Sequence, residues 1–205
     1  MIQIKECNEP LVDIKKLCPD LIIDLGKERT RREKTAYLRK TVAEMVCRAK
    51  DNLPDNTTFI IRDAWRPQYV QEKIIKQFIK SFSKKHPNWS GGKIIKEVEK
   101  YVAPSDGKYS SGHMTGGAVD LRLWKNNRKV SMKSSKLTYQ ENAKSFQPKL
   151  PRRIQKNREI MFYALKKAGL SNYPKEYWHW SYGDIWWAKR NKEKVAVYGI
   201  IKEYL

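Results

Sequence analysis

Two short segments of this chain carry residue types that can do metal-assisted chemistry. The first is Ser111-Gly112-His113-Met114-Thr115-Gly116-Gly117-Ala118-Val119-Asp120, in which a histidine in a glycine-flanked loop stands seven positions before an aspartate. A loop of that composition can fold back, so that imidazole and carboxylate converge on one metal ion. The second is Glu176-Tyr177-Trp178-His179-Trp180. Side chains three apart on a strand face opposite ways, so a bend, bulge or turn must bring Glu176 and His179 to one site. His113, Asp120 and His179 would form a set of two imidazoles and one carboxylate. Such a set leaves a fourth zinc position open to water, the pattern of a catalytic rather than a structural site. Glu176 would then be the general base, taking a proton from that water and passing it to a leaving amine. Each segment alone also fits a hydrogen-bonded core histidine, and spacing leaves both readings open. A third place is Arg66 in Asp63-Ala64-Trp65-Arg66-Pro67. An arginine just past a strand can hold an oxyanion or a carboxylate. Taken alone, these residues favour a structural arginine, paired with Asp63 or covering Trp65.

The elements that must position these residues are legible in outline. Residues 34–53 put Leu38, Val42, Met45, Val46, Ala49 and Leu53 on one face at helical spacing. The turn residues Leu53-Pro54-Asp55-Asn56 end that helix. The β-branched run Thr57-Thr58-Phe59-Ile60-Ile61 reads as a buried strand. Pro67 suits the first turn of a helix that carries Val70, Ile74, Phe78 and Phe82 at steps of four, with His86 as its C-terminal cap on the macrodipole. A shorter amphipathic segment spans 93–102, and 107–117 is a turn-rich loop. Residues 118–123 alternate as a half-exposed strand does, and 125–149 read as a polar loop or flap. Pro151 opens a further helix with Ile154, Met161, Leu165 and Ala168 inward, and Gly169 closes it. Strands are expected at 177–182 and 195–200. Helices and strands interleave, but the helices are too few for a doubly wound sheet. The expectation is a single α+β domain over residues 1–205, with a small, mainly antiparallel sheet and flanking helices around the zinc site.

Composition narrows the class. The 205 residues include 40% hydrophobic and 11% aromatic side chains, enough for one sizeable core. No apolar run is long enough to span a bilayer. Residues 1–13 lack the basic start and unbroken apolar stretch of a secretory signal peptide. Cys7, Cys18 and Cys47 cannot all pair and form no C-x-x-C, which fits a reducing compartment. The expected location is the cytoplasm, with the periplasm as the alternative. The net charge of +21 favours anionic polymers or surfaces as neighbours. The basic residues are nevertheless spread along the chain, with one local cluster at Lys149, Arg152, Arg153, Lys156 and Arg158. No finger, RNP-like strand or basic tail accompanies them, which argues against specific nucleic-acid binding. The aromatic group Tyr173, Tyr177, Trp178, Trp180, Tyr182, Trp186 and Trp187 reads as core and pocket wall rather than a stacking surface.

Ser111, His113, Gly116, Ala118 and Asp120, followed by Glu176, His179 and Trp180, resemble the signature of the zinc-dependent D-alanyl-D-alanine dipeptidases. This family is related to the D,D-carboxypeptidases that act on cell-wall peptides. Asp63-x-Trp65-Arg66-Pro67 and Pro19-Asp20-Leu21-Ile22-Ile23-Asp24-Leu25 are similar to further family segments, so the resemblance runs from about 19 to 180. It implies one zinc ion on His113, Asp120 and His179, with Glu176 as base. It also implies Arg66 as the group that polarises the scissile carbonyl, and Ser111 as a contact to the substrate's C-terminal carboxylate. The chain departs from the family at one point. Aligned by Met132, the place of an aspartate that receives the dipeptide's ammonium falls on Leu137-Thr138; Glu141 could substitute if the loop runs differently, though no spacing selects it. A carboxypeptidase acting on longer or N-acylated peptides is therefore the alternative within the same mechanism. A non-catalytic binder of anionic polymers is the alternative outside it, and it has no need of Glu176 or Arg66.

Overall fold

A six-stranded sheet carries the site-bearing residues of this structure, a computed structural model that describes residues 1–25, 34–107 and 109–202. In chain order, β1 (Gln3–Ile4), β2 (Leu11–Asp13), the one-turn helix α1 (Ile14–Leu17), β3 (Ile22–Ile23) and β4 (Tyr37–Arg39) lead into α2 (Lys40–Asp51). Then come β5 (Thr57–Asp63), α3 (Gln68–Lys85), α4 (Gly91–Val98), a 3-10 turn (Gly112–Thr115) and β6 (Ala118–Lys125). The rest is β7 (Arg128–Lys129), α5 (Tyr139–Ala143), α6 (Arg152–Lys167), β8 (Ser171–Tyr173), β9 (Glu176–Ser181), α7 (Ile185–Asn191) and β10 (Val195–Ala196). The main sheet runs β3-β5-β6-β9-β8, with β7 on β6. Only the β3–β5 pair is parallel. This is the α+β architecture with a mainly antiparallel sheet that the interleaving implied. Among the described residues no helix is long and apolar enough to cross a membrane.

Strand β6 shows why the sheet has a core face and a site face. Val119, Leu121 and Leu123 are buried in the main core, whereas the alternate residues Asp120, Arg122 and Trp124 stay partly exposed on the other side. Helices α2 and α6 close the core face with Val42, Val46 and Ala49, and with Met161, Ala164 and Leu165. Each fully buried Leu or Val contributes about 1.5–3 kcal/mol of transfer free energy. A separate apolar cluster joins Ile94, Val98 and Val102 to Phe78, Phe82 and Trp89, packing α4 onto α3.

Three expectations are revised. The helix expected from residue 34 begins at Lys40, because Tyr37–Arg39 pair antiparallel with Leu11–Asp13 instead. Leu38 is buried either way, so its apolar character could not choose between helix and strand. The polar stretch 125–149 holds β7 and α5, and α5 starts in a capping box between Thr138 and Glu141. Near the C-terminus only Val195–Ala196 form a strand, paired parallel with Gln3–Ile4. The preceding α7 begins where Asp184 accepts from Trp187 N at 2.7 Å.

Candidate active site

Register across the sheet lines up three of the residues that matter. Asp120 in β6 pairs with Asp63 of β5 on one side and with His179 of β9 on the other. Directly opposed residues of antiparallel strands share a face, so these side chains form a row. A register shift between Ile61 and Asp63 makes this possible by turning Arg62 outward to Asp24 and Asp63 toward Asp120.

Beyond His179 the regular ladder stops. Trp180 pairs with Asn172 and Glu176 with Tyr173, so residues 177–179 bulge away from β8. Asn172 pins the bulge: its Nδ2 donates to the carbonyls of Glu176 (3.1 Å) and His179 (3.0 Å) and lies 3.4 Å from that of Tyr177. Trp180 Nε1 adds a bond to Tyr177 O at 3.1 Å. This is the irregularity that the Glu-x-x-His spacing required, and it brings Glu176 within reach of His179.

His113 comes from the 3-10 turn. Ser111 caps that turn by accepting from His113 N, and Gly116 closes it at φ 72°, a conformation that L side chains seldom adopt. A Cβ on Gly112 would lie 2.6 Å from Asp184 Oδ2, so only glycine fits there. Buried Arg39 braces the turn by donating from Nε to Thr115 O (2.8 Å) and from its backbone N to Gly116 O (3.0 Å). The Nδ1 of His113 lies 2.9 Å from Ala64 O, which makes Nδ1 the protonated nitrogen and leaves the Nε2 lone pair for a metal.

The donor atoms converge. His113 Nε2 is 3.1 Å from His179 Nδ1 and 3.3 Å from Asp120 Oδ1, and the last two are 3.1 Å apart. The centre of that triangle lies about 1.8 Å from each atom, which is compatible with metal–ligand bonds of about 2.0–2.2 Å. Two neutral imidazoles and a carboxylate are the donors that zinc takes in catalytic sites. The donor set therefore fits the metal expected for it. Burial alone would raise the Asp120 pKa, but the two histidines more than offset it and hold the carboxyl far below its usual range.

Arg66 and Glu176 border this triangle. Burial would lower the Arg66 pKa, yet the charge and hydrogen bonds of Asp63, with help from Asp120 and Glu176, raise it, so the guanidinium stays cationic. Its Nε donates to Asp63 Oδ2 at 3.1 Å, one terminal nitrogen pairs with the same oxygen, and the other donates to Gln71 Oε1 at 2.5 Å. Gln71 is fully buried and anchored by its Nε2 on Ala103 O at 2.6 Å. The structural reading of Arg66, pairing with Asp63, is therefore what the contacts show, and the pairing fixes the guanidinium's direction. Burial raises the Glu176 pKa above the ordinary glutamate value and Asp120 adds to the rise, while His179, Arg66 and a hydrogen bond from Trp178 oppose it. A carboxylate whose pKa is raised in this way is a better proton acceptor than an ordinary glutamate.

The sequence profile of the D-ala-D-ala dipeptidase family matches residues 12–196. The chain belongs to the D-ala-D-ala dipeptidase family. It is therefore a hydrolase that acts on peptides. A D-alanyl-D-alanine dipeptidase of Synechocystis sp. is 24% identical over 238 aligned positions, covering 98% of this chain and 95% of that protein. Among solved structures, VanYB in complex with D-alanine-D-alanine superposes with a TM-score of 0.52 at 16% identity, over 82% of each chain. A mutant of the vancomycin-resistance D,D-pentapeptidase VanY with Zn(II) gives a TM-score of 0.52 at 15% identity, over 82% of this chain and 84% of that one. These likenesses show a shared fold.

Of the residues singled out from the sequence, His113, Asp120 and His179 lie together, and Arg66 and Glu176 are close enough to feel their charges. Ser111 is buried at the head of the turn, where its observed role is the cap on His113 N. Thr138 and Glu141 satisfy each other, the glutamate accepting from Thr138 N and Oγ1 at 2.9 Å. Sequence reasoning missed Gln71, Asn172 and Arg39. Their types are ordinary polar ones, and only their partners, more than thirty residues away for Arg39 and Gln71, reveal what they do.

Proposed function

We propose that this chain hydrolyses the amide bond between two D-alanyl residues, with one zinc ion held by His113, Asp120 and His179. The observation that carries this reading is the triangle of donor atoms 3.1–3.3 Å apart, with a buried carboxylate and a buried guanidinium at its edge. When bound, zinc supplies Lewis acidity and an acidified water. Glu176 takes a proton from the attacking water and returns it to the leaving amine. Arg66 donates N–H groups to the scissile carbonyl oxygen, where negative charge develops, and Asp63 and Gln71 hold it pointing there. Ser111 donates its hydroxyl hydrogen to the substrate's C-terminal carboxylate. The compartment that fits three free thiols is the reducing cytoplasm.

The test is hydrolysis of free D-Ala-D-Ala and of N-acetyl-D-Ala-D-Ala by the zinc-loaded protein, with and without chelator, alongside metal analysis. His113→Ala loses zinc and activity together. Glu176→Gln keeps zinc and loses about 10²–10⁴-fold in rate. A Glu176→Gln variant with normal turnover would overturn the assignment. A second reading, hydrolysis of N-acylated rather than free dipeptides, is supported by the Thr138–Glu141 capping box. It occupies both groups that could otherwise receive a substrate ammonium, and Lys149 adds a further contact to Glu141 at 3.6 Å.

A further inference from the structure

One pair of cations beside the cleft lacks the compensation found at Arg66. Arg122 lies two residues beyond Asp120 in β6, on the same face and about 7 Å along the strand. Its Nε is buried and has no hydrogen-bond partner. Lys133 lies close by on the loop after β7, its ammonium 5.2 Å from the centre of the Trp178 ring and 5.3 Å from that of Tyr139. Trp178 is the residue whose side chain hydrogen-bonds Glu176, and Tyr139 feels the charges of Glu176 and Asp120. The lysine ammonium is therefore one ring away from the catalytic base.

The surrounding charges make the arrangement unusual. Burial lowers the Lys133 pKa first, and the charges that add to this are Arg122 and Arg158, both cations. Arg158 is accounted for: it donates to the carbonyls of Met132, Asn142 and Lys144 and lies 3.9 Å from the centre of the Tyr177 ring. Among the described residues, Arg122 and Lys133 form no ion pair, whereas Arg39, Lys50, Arg62 and Arg66 each have a carboxylate. Two half-buried like charges with no anion between them cost free energy. The cost is removed when an anion binds, and a guanidinium and an ammonium together suit a carboxylate.

We propose that Arg122 and Lys133 form an anion subsite on the acyl side of the cleft, which takes a carboxylate carried by the group that acylates the D-Ala-D-Ala terminus. This rests on the hydrolytic reading above. The role proposed for Ser111 puts the leaving residue at the His113 turn, and the acyl group is then given the β6 side, where Arg122 lies. A carboxylate two methylenes beyond the acyl carbonyl reaches about 7 Å from the scissile bond, and the backbone of Arg122 stands about that far along β6 from Asp120. The preferred substrate is thus an acidic acyl-D-Ala-D-Ala, and a free dipeptide, with its ammonium facing two cations, is a poor one.

The test compares N-succinyl-D-Ala-D-Ala with its neutral isostere N-succinamoyl-D-Ala-D-Ala on the zinc-loaded protein. The expected kcat/KM ratio is roughly tenfold or more in favour of the succinyl peptide. Lys133→Met and Arg122→Met each bring that ratio toward one, and Lys133→Glu reverses the preference toward an N-(4-aminobutanoyl) peptide. Thermal melting confirms that each variant is folded. A wild-type ratio near one, or a ratio that both variants leave unchanged, overturns the proposal. So does the outcome in which the variants instead erase discrimination between N-acetyl-D-Ala-D-Ala and its C-terminal amide, since the cations would then hold the C-terminal carboxylate. If no peptide is cleaved, the hydrolytic reading has failed. The subsite is then decided by calorimetric titration of the same two acyl peptides into wild type and both Met variants, with tighter succinyl binding lost in the variants as the supporting result.

Discussion

Arg66, which feels the charge of Asp120, and Arg122, two residues beyond Asp120 in β6, are provided for in opposite ways. Arg66 has a carboxylate, a buried amide and two further acidic neighbours, all in place before any substrate arrives. Arg122 has no carboxylate partner among the described residues, its buried Nε has no hydrogen-bond partner, and its charge acts on a second cation, Lys133. Catalytic electrostatics works when dipoles and charges are fixed in advance, because the transition state then does not bear the reorganisation. A recognition site gains more when its charge is left for the ligand to satisfy. On the proposals above, Arg66 is the preorganised group that acts on the carbonyl, and Arg122 is the uncompensated one that receives an anion.

The largest effect expected on this contrast is from Arg66→Ala, which loses roughly 10²–10³ in kcat while zinc content stays at one per chain. Retention of near-normal turnover would remove Arg66 from the chemistry. Asp63→Asn comes next. It leaves the buried guanidinium without its carboxylate and costs about 3–5 kcal/mol of stability, read as a shift in the denaturant midpoint. Gln71→Leu frees one side of Arg66 and is expected to lower kcat about tenfold with little change in KM. A matching rise in KM would show that Gln71 serves substrate binding instead.

The pH profile separates the two ends further. Glu176 must be ionised to act, and burial raises its pKa, so kcat/KM falls as pH is lowered through a value above the ordinary 4.5. Arg66 opposes that rise, so removing it moves the acid limb to higher pH. An unmoved limb in Arg66→Ala would sever the link. The smallest effect is on stability in Arg122→Met. It is expected to stay within about 1 kcal/mol of wild type or to rise, because an unpaired charge is being removed. A loss of several kcal/mol would make Arg122 a structural residue.

Much of this site was legible before the fold was known. The donor types at 113, 120 and 179, which the fold brings together, and the roles proposed for Glu176 and Arg66 follow from residue chemistry and family resemblance. The strand at 57–61, the helix from Pro67 and the helix closed by Gly169 follow from local patterns, because period and turn chemistry act over a few residues. Residues 34–39 show the limit. Leu38 fits an apolar helix face and an apolar strand equally, and the choice was made by β2, whose Val12, opposite Leu38, lies 26 residues earlier in the chain.

The sequence by itself determined which atoms are available to bind metal, to move a proton and to steady an oxyanion. Only the tertiary structure decided that they meet. The row Asp63–Asp120–His179 depends on register between strands 57–59 residues apart, and a one-residue slip would turn each side chain to the other face. The β9 bulge that turns Glu176 toward His179 depends on Asn172, whose type announces nothing until the carbonyls it binds are in place. The same is true of Arg122, ordinary on a basic chain until its buried Nε is seen to lack a partner. Pairing over such distances has no local signature, since its free energy comes from contacts that exist only once the chain has folded.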